Sequence, residues 1–419
     1  MLLKTDRLID QIRNHAVPFK SKSDLEPLIK SAAKAKYILL GEASHGTSQF
    51  YTTRAEMTKE LIEQHQFSFI AVEGDWPSCY EVNRFIKGLA PEYSNAQEVL
   101  TKAFNRWPSW MWANKEILEL VEWLYQYNQT HQEKKVGFYG LDVYSLWESM
   151  DAIIEYLKQI DSPVLEKALE AVKCFEPFNR KPEMYGVSAA FYGEDCMEEI
   201  LELLYTIQKN KEIRHDDPET ALNVRINAIV AANAEHYYHT MVTNDNESWN
   251  IRDRHMVEAL EYISDYYKSD AKGIIWEHNT HIGDARATDM ANEGMVNVGQ
   301  LMREKFGPEN VFSIGLGTYQ GSVIAAKNWG DPVEIMTVPK GIEGSWEEAL
   351  HLANPSNQYL IFTDENKELF NFEIGHRAIG VVYQPEYEHF GNYVPSRLSE
   401  RYDAFIHIDQ TNALSPLSY

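Results

Sequence analysis

Short, mostly apolar runs, each closed by glycine or a polar group, recur along the chain at Tyr37–Leu40, Phe67–Val72, Val136–Tyr139, Gly273–Trp276, Val311–Ile314, Ile379–Val382 and Ala404–Ile408. Runs that stay apolar at consecutive rather than alternate positions fit strands covered on both faces. Between the first of them, stretches such as Ser48–His65 and Asn114–Tyr127 carry apolar residues at helical spacing. Strand–helix–strand units result, and with them a mainly parallel central sheet flanked by helices, an α/β fold. From Val143 to about Asp265 the strand signal vanishes and helical periodicity takes over in residues 148–160, 164–175, 196–209 and 220–239. That is far more than one crossover helix needs. We expect an α/β core carrying the site, built from residues 1–147 and 265–419, with a helical insertion, 148–264, forming a cap or lid.

The charge balance excludes several function classes. Lys and Arg number 39 against 63 Asp and Glu, a net charge of −24, and no basic run could neutralise a line of phosphates. Nucleic acid and anionic membranes are therefore not expected partners, and no apolar stretch is long enough to span a bilayer. The start, Met1-Leu2-Leu3-Lys4-Thr5-Asp6, reaches charge at once and lacks the apolar region of a secretion signal. Cys79, Cys174 and Cys196 are odd in number and lack metal-ligand spacing, which fits reduced thiols in the cytoplasm better than a disulfide framework. Gly315-Leu-Gly317-Thr-Tyr-Gln-Gly321 misses the dinucleotide fingerprint, and no Walker A sequence occurs. No cofactor is expected.

Three of the apolar runs end alike. Tyr37–Leu40 leads into Gly41-Glu42-Ala43-Ser44-His45-Gly46, Ile70-Ala71-Val72 into Glu73-Gly74-Asp75-Trp76-Pro77, and Ile274-Ile275-Trp276 into Glu277-His278-Asn279-Thr280-His281. In an open parallel sheet the carboxyl ends of strands share one edge, where ligand crevices form, so these carboxylates and imidazoles are expected to converge. A strand-end Glu or His in any one of them could simply cap the next helix; the repetition in three is what points to a site.

Phe50, Arg54, Met57 and Leu61 form one helical stripe, so Arg54 should face inward and meet buried acid, with Glu42 and Glu73 the nearest candidates. A structural ion pair and a role at a substrate oxygen are both open to it. Ser44 lies in Gly41-x-x-Ser44-x-Gly46, one residue too long for a nucleophile elbow. Neither His278/His281 nor His236/His239 has the second Glu of a His-Glu-x-x-His zinc motif. Trp107, Trp110 and Trp112 crowd into six residues; core packing is the default reading, with Trp76, Trp107 and Trp110 as a candidate pocket wall for a bulky apolar or sugar-bearing substrate.

These motifs resemble the erythromycin esterase family of macrolide-lactone hydrolases and their relatives. The resemblance rests on Gly41-Glu42-Ala43-Ser44-His45-Gly46-Thr47, Phe50-Tyr51 with Arg54, Ala71-Val72-Glu73-Gly74-Asp75-Trp76-Pro77, Val136 to Tyr144 with Asp142, Trp276 to Arg286, and Tyr402 to Leu414. It spans nearly the whole chain. Gly46-Thr47-Ser48 resembles a branch apart from the macrolide-opening resistance enzymes, which carry bulkier residues just after the His. The resemblance implies that His45 is the catalytic His, with Glu42, Arg54, Glu73, His278 and His281 as its polar companions. It also implies water activated directly by His45, without an acyl-enzyme or an obligatory metal.

The chemistry of the groups agrees. Neutral His45 would take a proton from water, Glu42 or Glu73 would fix its tautomer, and Arg54 with His278 or His281 would receive the developing oxyanion. The expected partner is a small-molecule ester or lactone. A metal-dependent hydrolase using Glu42, His45, Glu73, His278 and His281 as ligands is the rival reading, opposed by the cation at Arg54. A non-enzymatic protein that binds a bulky small molecule ranks third, because it would not need so many titratable groups.

Overall fold

A computed structural model describes residues 2–193, 195–210, 217–268 and 272–417. The chain divides into two units, one of residues 1–70, 84–137 and 272–419, the other of 71–83 and 138–271. The strands are β1 (Val17–Pro18), β2 (Tyr37–Leu40), β3 (Phe69–Asp75), β4 (Gly137–Asp142), β5 (Gly273–Trp276), β6 (Val311–Ala325), β7 (Glu334–Val338), β8 (Gln358–Ile361), β9 (Glu373–Arg377), β10 (Tyr393–Arg397) and β11 (Ala404–Thr411). The class is α/β, with a mostly parallel sheet and flanking helices.

In the first unit the strand order is β1-β8-β11-β6-β2-β5, with β7 on the far half of β6. β11, β6, β2 and β5 run parallel, whereas β8 and β1 continue the sheet antiparallel. β2 and β5 are buried along their whole length, as their unbroken apolar sequences require. Register sets where the chain leaves them. Leu40 stands opposite both Trp276 and Ile314, so the segments beginning at Gly41 and Glu277 depart from the sheet side by side at one edge.

Two glycines make that edge compact. A Cβ on Gly41 would lie 2.1 Å from Asn279 Oδ1, and one on Gly46 would lie 1.9 Å from the Ile324 carbonyl oxygen. Only glycine lets these backbones approach so closely. The helix Ser48–His65 then starts after Thr47 and ends at Gln66, which takes a left-handed conformation. Its stripe of Phe50, Arg54, Met57 and Leu61 is completely buried.

In the second unit β3, from Ala71, lies beside β4, and a Cβ at Gly140 would come within 2.3 Å of the Gly74 carbonyl oxygen. The helices Leu146–Gln159, Leu165–Phe175, Pro182–Tyr192, Met197–Lys209, Pro218–Met241 and Asp245–Tyr267 belong to this unit. Leu146, Ile153, Phe175, Tyr185, Leu203 and Ala231 join one apolar core there. The expected insertion, 148–264, falls inside this unit, which also takes in 71–83, 138–147 and 265–271; residues 194 and 211–216 of that span lie outside the described residues.

Two expectations need correction. Ile379–Val382 forms no regular strand: Ile379 and Val382 make isolated bridges to Ser44 and Ala326, and the regular strand nearby is β9, paired with β10 in a separate hairpin. The cysteines are not all reduced, because Cys174 and Cys196 form a disulfide across 22 residues. Helix packing brings them together, which no sequence spacing announces. Cys79 keeps its thiol in the core, where burial, with Asp75 and Asp142 nearby, pushes its ionisation well up. Among the described residues no helix is long and apolar enough to cross a membrane.

The helical core also encloses a carboxyl group. Glu235 accepts a hydrogen bond from the Tyr185 hydroxyl, which itself accepts from the Cys196 backbone N–H. Burial, opposed by the Tyr185 bond and reinforced by Asp195, raises the Glu235 carboxyl to about 7. The unfolded chain ionises near the ordinary Glu range while the folded chain keeps the proton, so stability falls as pH rises from about 4.5 to 7 and then levels off. The drop should be on the order of 3 kcal/mol. Denaturant titrations of wild type and Glu235→Gln across this range should show the variant free of that drop; parallel pH dependences would contradict the assignment.

Candidate active site

Glu42 is the hub of the first unit's charged cluster. Its Oε1 accepts from His45 Nδ1 at 2.9 Å, and its Oε2 accepts from Arg54 Nη2. All three side chains are buried, Arg54 completely. The guanidinium lies over the rings of Tyr51 and Trp276, 4.5 and 4.6 Å from their centroids, so its charge is enclosed by π faces as well as by the carboxylate. The Trp276 indole is itself fixed by donating to Thr58 Oγ1 at 3.1 Å. Arg54 thus meets Glu42, as the helical stripe requires, and is directed to that carboxylate.

A carboxylate only accepts, so the neutral His45 ring carries its proton on Nδ1 and its lone pair on Nε2. The opposite holds at His278. Its Nδ1 accepts the backbone N–H of Thr280 at 3.3 Å and lies 2.8 Å from the Thr280 hydroxyl, so its ring proton sits on Nε2. The two rings are neighbours, with centroids 4.9 Å apart. One imidazole offers a lone pair at Nε2 and the other a proton at Nε2.

His278 caps the short helix Asn279–Ile282, on which His281 is buried one turn from it. Asn279, which sequence reading gave no role, ties the cluster together. Its backbone N–H donates to the Glu42 carbonyl at 2.8 Å, its Nδ2 donates to the Leu316 carbonyl at 2.7 Å, and its own carbonyl accepts from Arg401 at 3.1 Å. The close fit of its Oδ1 against Gly41 was the available sequence signal, readable only once register is known.

Glu73 belongs to the second unit. Arg252 Nη2 donates to Glu73 Oε1 at 2.8 Å and to Asp142 Oδ2 at 2.7 Å, while Arg252 Nε donates to Asp142 Oδ1 at 2.9 Å. Arg252 lies on a helix whose charge pattern looks like a solvated face, which hid it. Trp76, in the same unit, is completely buried, stacked on Tyr80 and Tyr139 and donating to Asn223 Oδ1 at 2.8 Å. In the first unit Trp110 is buried, whereas Trp107 is half-buried. The Ser44 hydroxyl is bonded to that of Thr47. Among the described residues no group of three or more His, Cys, Asp or Glu side chains is arranged to hold a metal ion.

Residues 62–411 match the family model for erythromycin esterase, and the chain belongs to that family, which points to a hydrolase. The matched span includes Glu73, His278 and His281 and begins after His45. The chain is 20% identical over 407 residues to erythromycin esterase type II of Escherichia coli, covering 87% of this chain and 90% of that protein. It is also 20% identical over 421 residues to the YbfO protein of Bacillus subtilis (strain 168), named as a hydrolase, covering 95% and 90%. Among solved structures, a protein from Bacillus cereus is similar at TM-score 0.80 and 21% identity over 98% of this chain and 99% of that one. An erythromycin esterase mutant in its open conformation is similar at TM-score 0.66 and 15% identity, covering 94% and 95%. These structures show the same fold.

Removing one partner of a buried ion pair leaves the other charge uncompensated and costs about 3–5 kcal/mol. Arg54→Met should therefore destabilise the protein by about that much, and the double variant Arg54→Met/Glu42→Met should regain a large part of it. Urea unfolding of the three proteins checks this; a double variant no more stable than Arg54→Met would contradict the uncompensated-charge account.

Proposed function

We propose that this protein hydrolyses a carboxylic ester or lactone with a water molecule deprotonated by His45. The observation that carries the reading is the pair of neighbouring imidazoles, His45 with Nδ1 on Glu42 and His278 with Nδ1 on Thr280, contacts that assign the neutral rings opposite tautomers. His45 Nε2 takes a proton from water as the oxygen attacks the acyl carbon, and Glu42 stabilises the imidazolium that forms. Arg54 holds the other oxygen of that carboxylate. The Nε2–H of His278 donates to the oxyanion that develops on the carbonyl oxygen, with His281 one turn along the same short helix as a second candidate donor. The tetrahedral intermediate then expels the alkoxide, which takes the proton from His45 and leaves as the alcohol. Water has supplied the acid's new oxygen and, through the imidazole, the alcohol's proton.

An ester or lactone suits this set of groups because its alkoxide leaves more readily than the amine of an amide, so one base and one electrophilic donor suffice. Membership of the erythromycin esterase family supports the reaction class, and the relatives' names are those of an esterase and a hydrolase. Ser44, whose hydroxyl is bonded to Thr47 rather than to an imidazole, has no part in the proposal.

Two substitutions test the assignment with 4-nitrophenyl acetate and a panel of lactones. His45→Asn cannot accept the proton and should lose at least about a hundredfold in kcat with the fold retained. Ser44→Ala should keep most of its activity, and no burst of released alcohol should precede steady turnover. The wild-type rate should fall on acidification, because protonated imidazole is no base. A folded but inactive Ser44→Ala variant, or a serine-bound acyl group found by mass spectrometry, would overturn the mechanism.

A further inference from the structure

Two tryptophans of the first unit are arranged in a way that neither core packing nor the proposed chemistry uses. Trp107 and Trp329 meet edge to face, with ring centroids 4.6 Å apart. Trp107 is half-buried and its indole N–H donates to the Asp331 carbonyl at 3.1 Å. Trp329 keeps 66% of its surface exposed. A lone exposed aromatic needs no explanation, but this one stands on a braced support. Asn328 Nδ2 donates to Asp331 Oδ2 at 2.7 Å, Gln384 Nε2 donates to the Lys327 carbonyl at 3.2 Å, and Gly330 turns the loop back with φ +82°.

The loop's position gives the pair its meaning. The Ile324 N–H donates to the Gly46 carbonyl at 3.0 Å, directly after His45, and Ala326 is bonded to Val381 on the strand end just beyond. Trp329 is only three residues further along the same chain segment. The segment that carries Trp107 is tied in too: Ser48 Oγ donates to Glu116 at 2.6 Å, and Asn114 bridges Pro416 near the chain's end. The aromatic pair is therefore carried on two segments that are each anchored against residues 46–48, which directly follow His45.

We propose that Trp107 and Trp329 form a substrate subsite that holds a saturated ring of the ester beside its scissile bond. This rests on the hydrolase reading and specifies its substrate class: esters whose acyl or alcohol part carries a saturated ring. The face of an indole is electron-rich and the C–H bonds of a saturated ring point positive hydrogens at it, so the two stack while burying apolar area. The Trp107 indole is fixed by its bond to Asp331 and Trp329 rests edge to face against it on a braced loop, which lowers the ordering cost of binding.

Two esters with one leaving group test it: 4-nitrophenyl cyclohexanecarboxylate and 4-nitrophenyl acetate. In Trp329→Ala the kcat/KM ratio of the ring-bearing ester to the acetate should fall about tenfold, and Trp329→Phe should restore most of it. In parallel, saturation-transfer NMR with cyclohexanecarboxamide, which has no ester to cleave, should show the ring protons saturated from wild-type protein and at least about threefold less from Trp329→Ala, with unchanged melting temperature as the fold control. An unchanged ratio together with equal ring saturation would overturn the subsite. If wild type cleaves neither ester, the hydrolase reading fails and the NMR comparison alone decides whether the ring site exists.

Discussion

One carboxylate carries two obligations in this fold. Glu42 must neutralise a guanidinium that the helix Ser48–His65 buries completely, and it must also hold the imidazole three residues further along its own loop. Gly41 and Gly46 permit that loop to run against Asn279 and Ile324 without a side chain in the way. The arrangement is costly to desolvate and is repaid only because each charge has its partner in place. It also sets the chemistry: a carboxylate that accepts from both Arg54 and His45 places the proton of the neutral His45 ring on Nδ1, which leaves Nε2 as the basic atom. The same logic, with Thr280 in place of the carboxylate, turns the neighbouring His278 the other way round.

The sheet was largely legible because buried parallel strands are apolar without interruption. Tyr37–Leu40 and Gly273–Trp276 coincide with β2 and β5, and Val311–Ile314 marks the start of β6, which then runs on through glycines and polar residues to Ala325. β7, with its largely exposed residues, and the polar hairpin of β9 and β10 carry no such signal. Ile379–Val382 has the composition of a strand but spends its backbone bonding on the His45 loop and Ala326 instead.

At the site, charge placed after apolar strands singled out Glu42, His45, His278 and His281, and helical spacing turned Arg54 inward. What stayed hidden depends on packing. Asn279 matters through register, Arg252 through a tertiary contact with Glu73 and Asp142, and the Cys174–Cys196 bond through the meeting of two helices. Trp76 and Trp110 are enclosed by neighbours, whereas Trp107 owes its exposed partner, Trp329, to a loop more than two hundred residues away.

The central claim is that Glu42 and Thr280 hold two adjacent imidazoles in opposite neutral tautomers, so that one accepts a proton where the other donates. Long-range nitrogen–proton NMR of 15N-labelled histidines, assigned with His45→Asn and His278→Asn, reads each ring's tautomer directly in the resting protein near neutral pH. The account predicts a protonated Nδ1 on His45 and a protonated Nε2 on His278. The same tautomer on both rings, or a His45 ring protonated at both nitrogens, would contradict it.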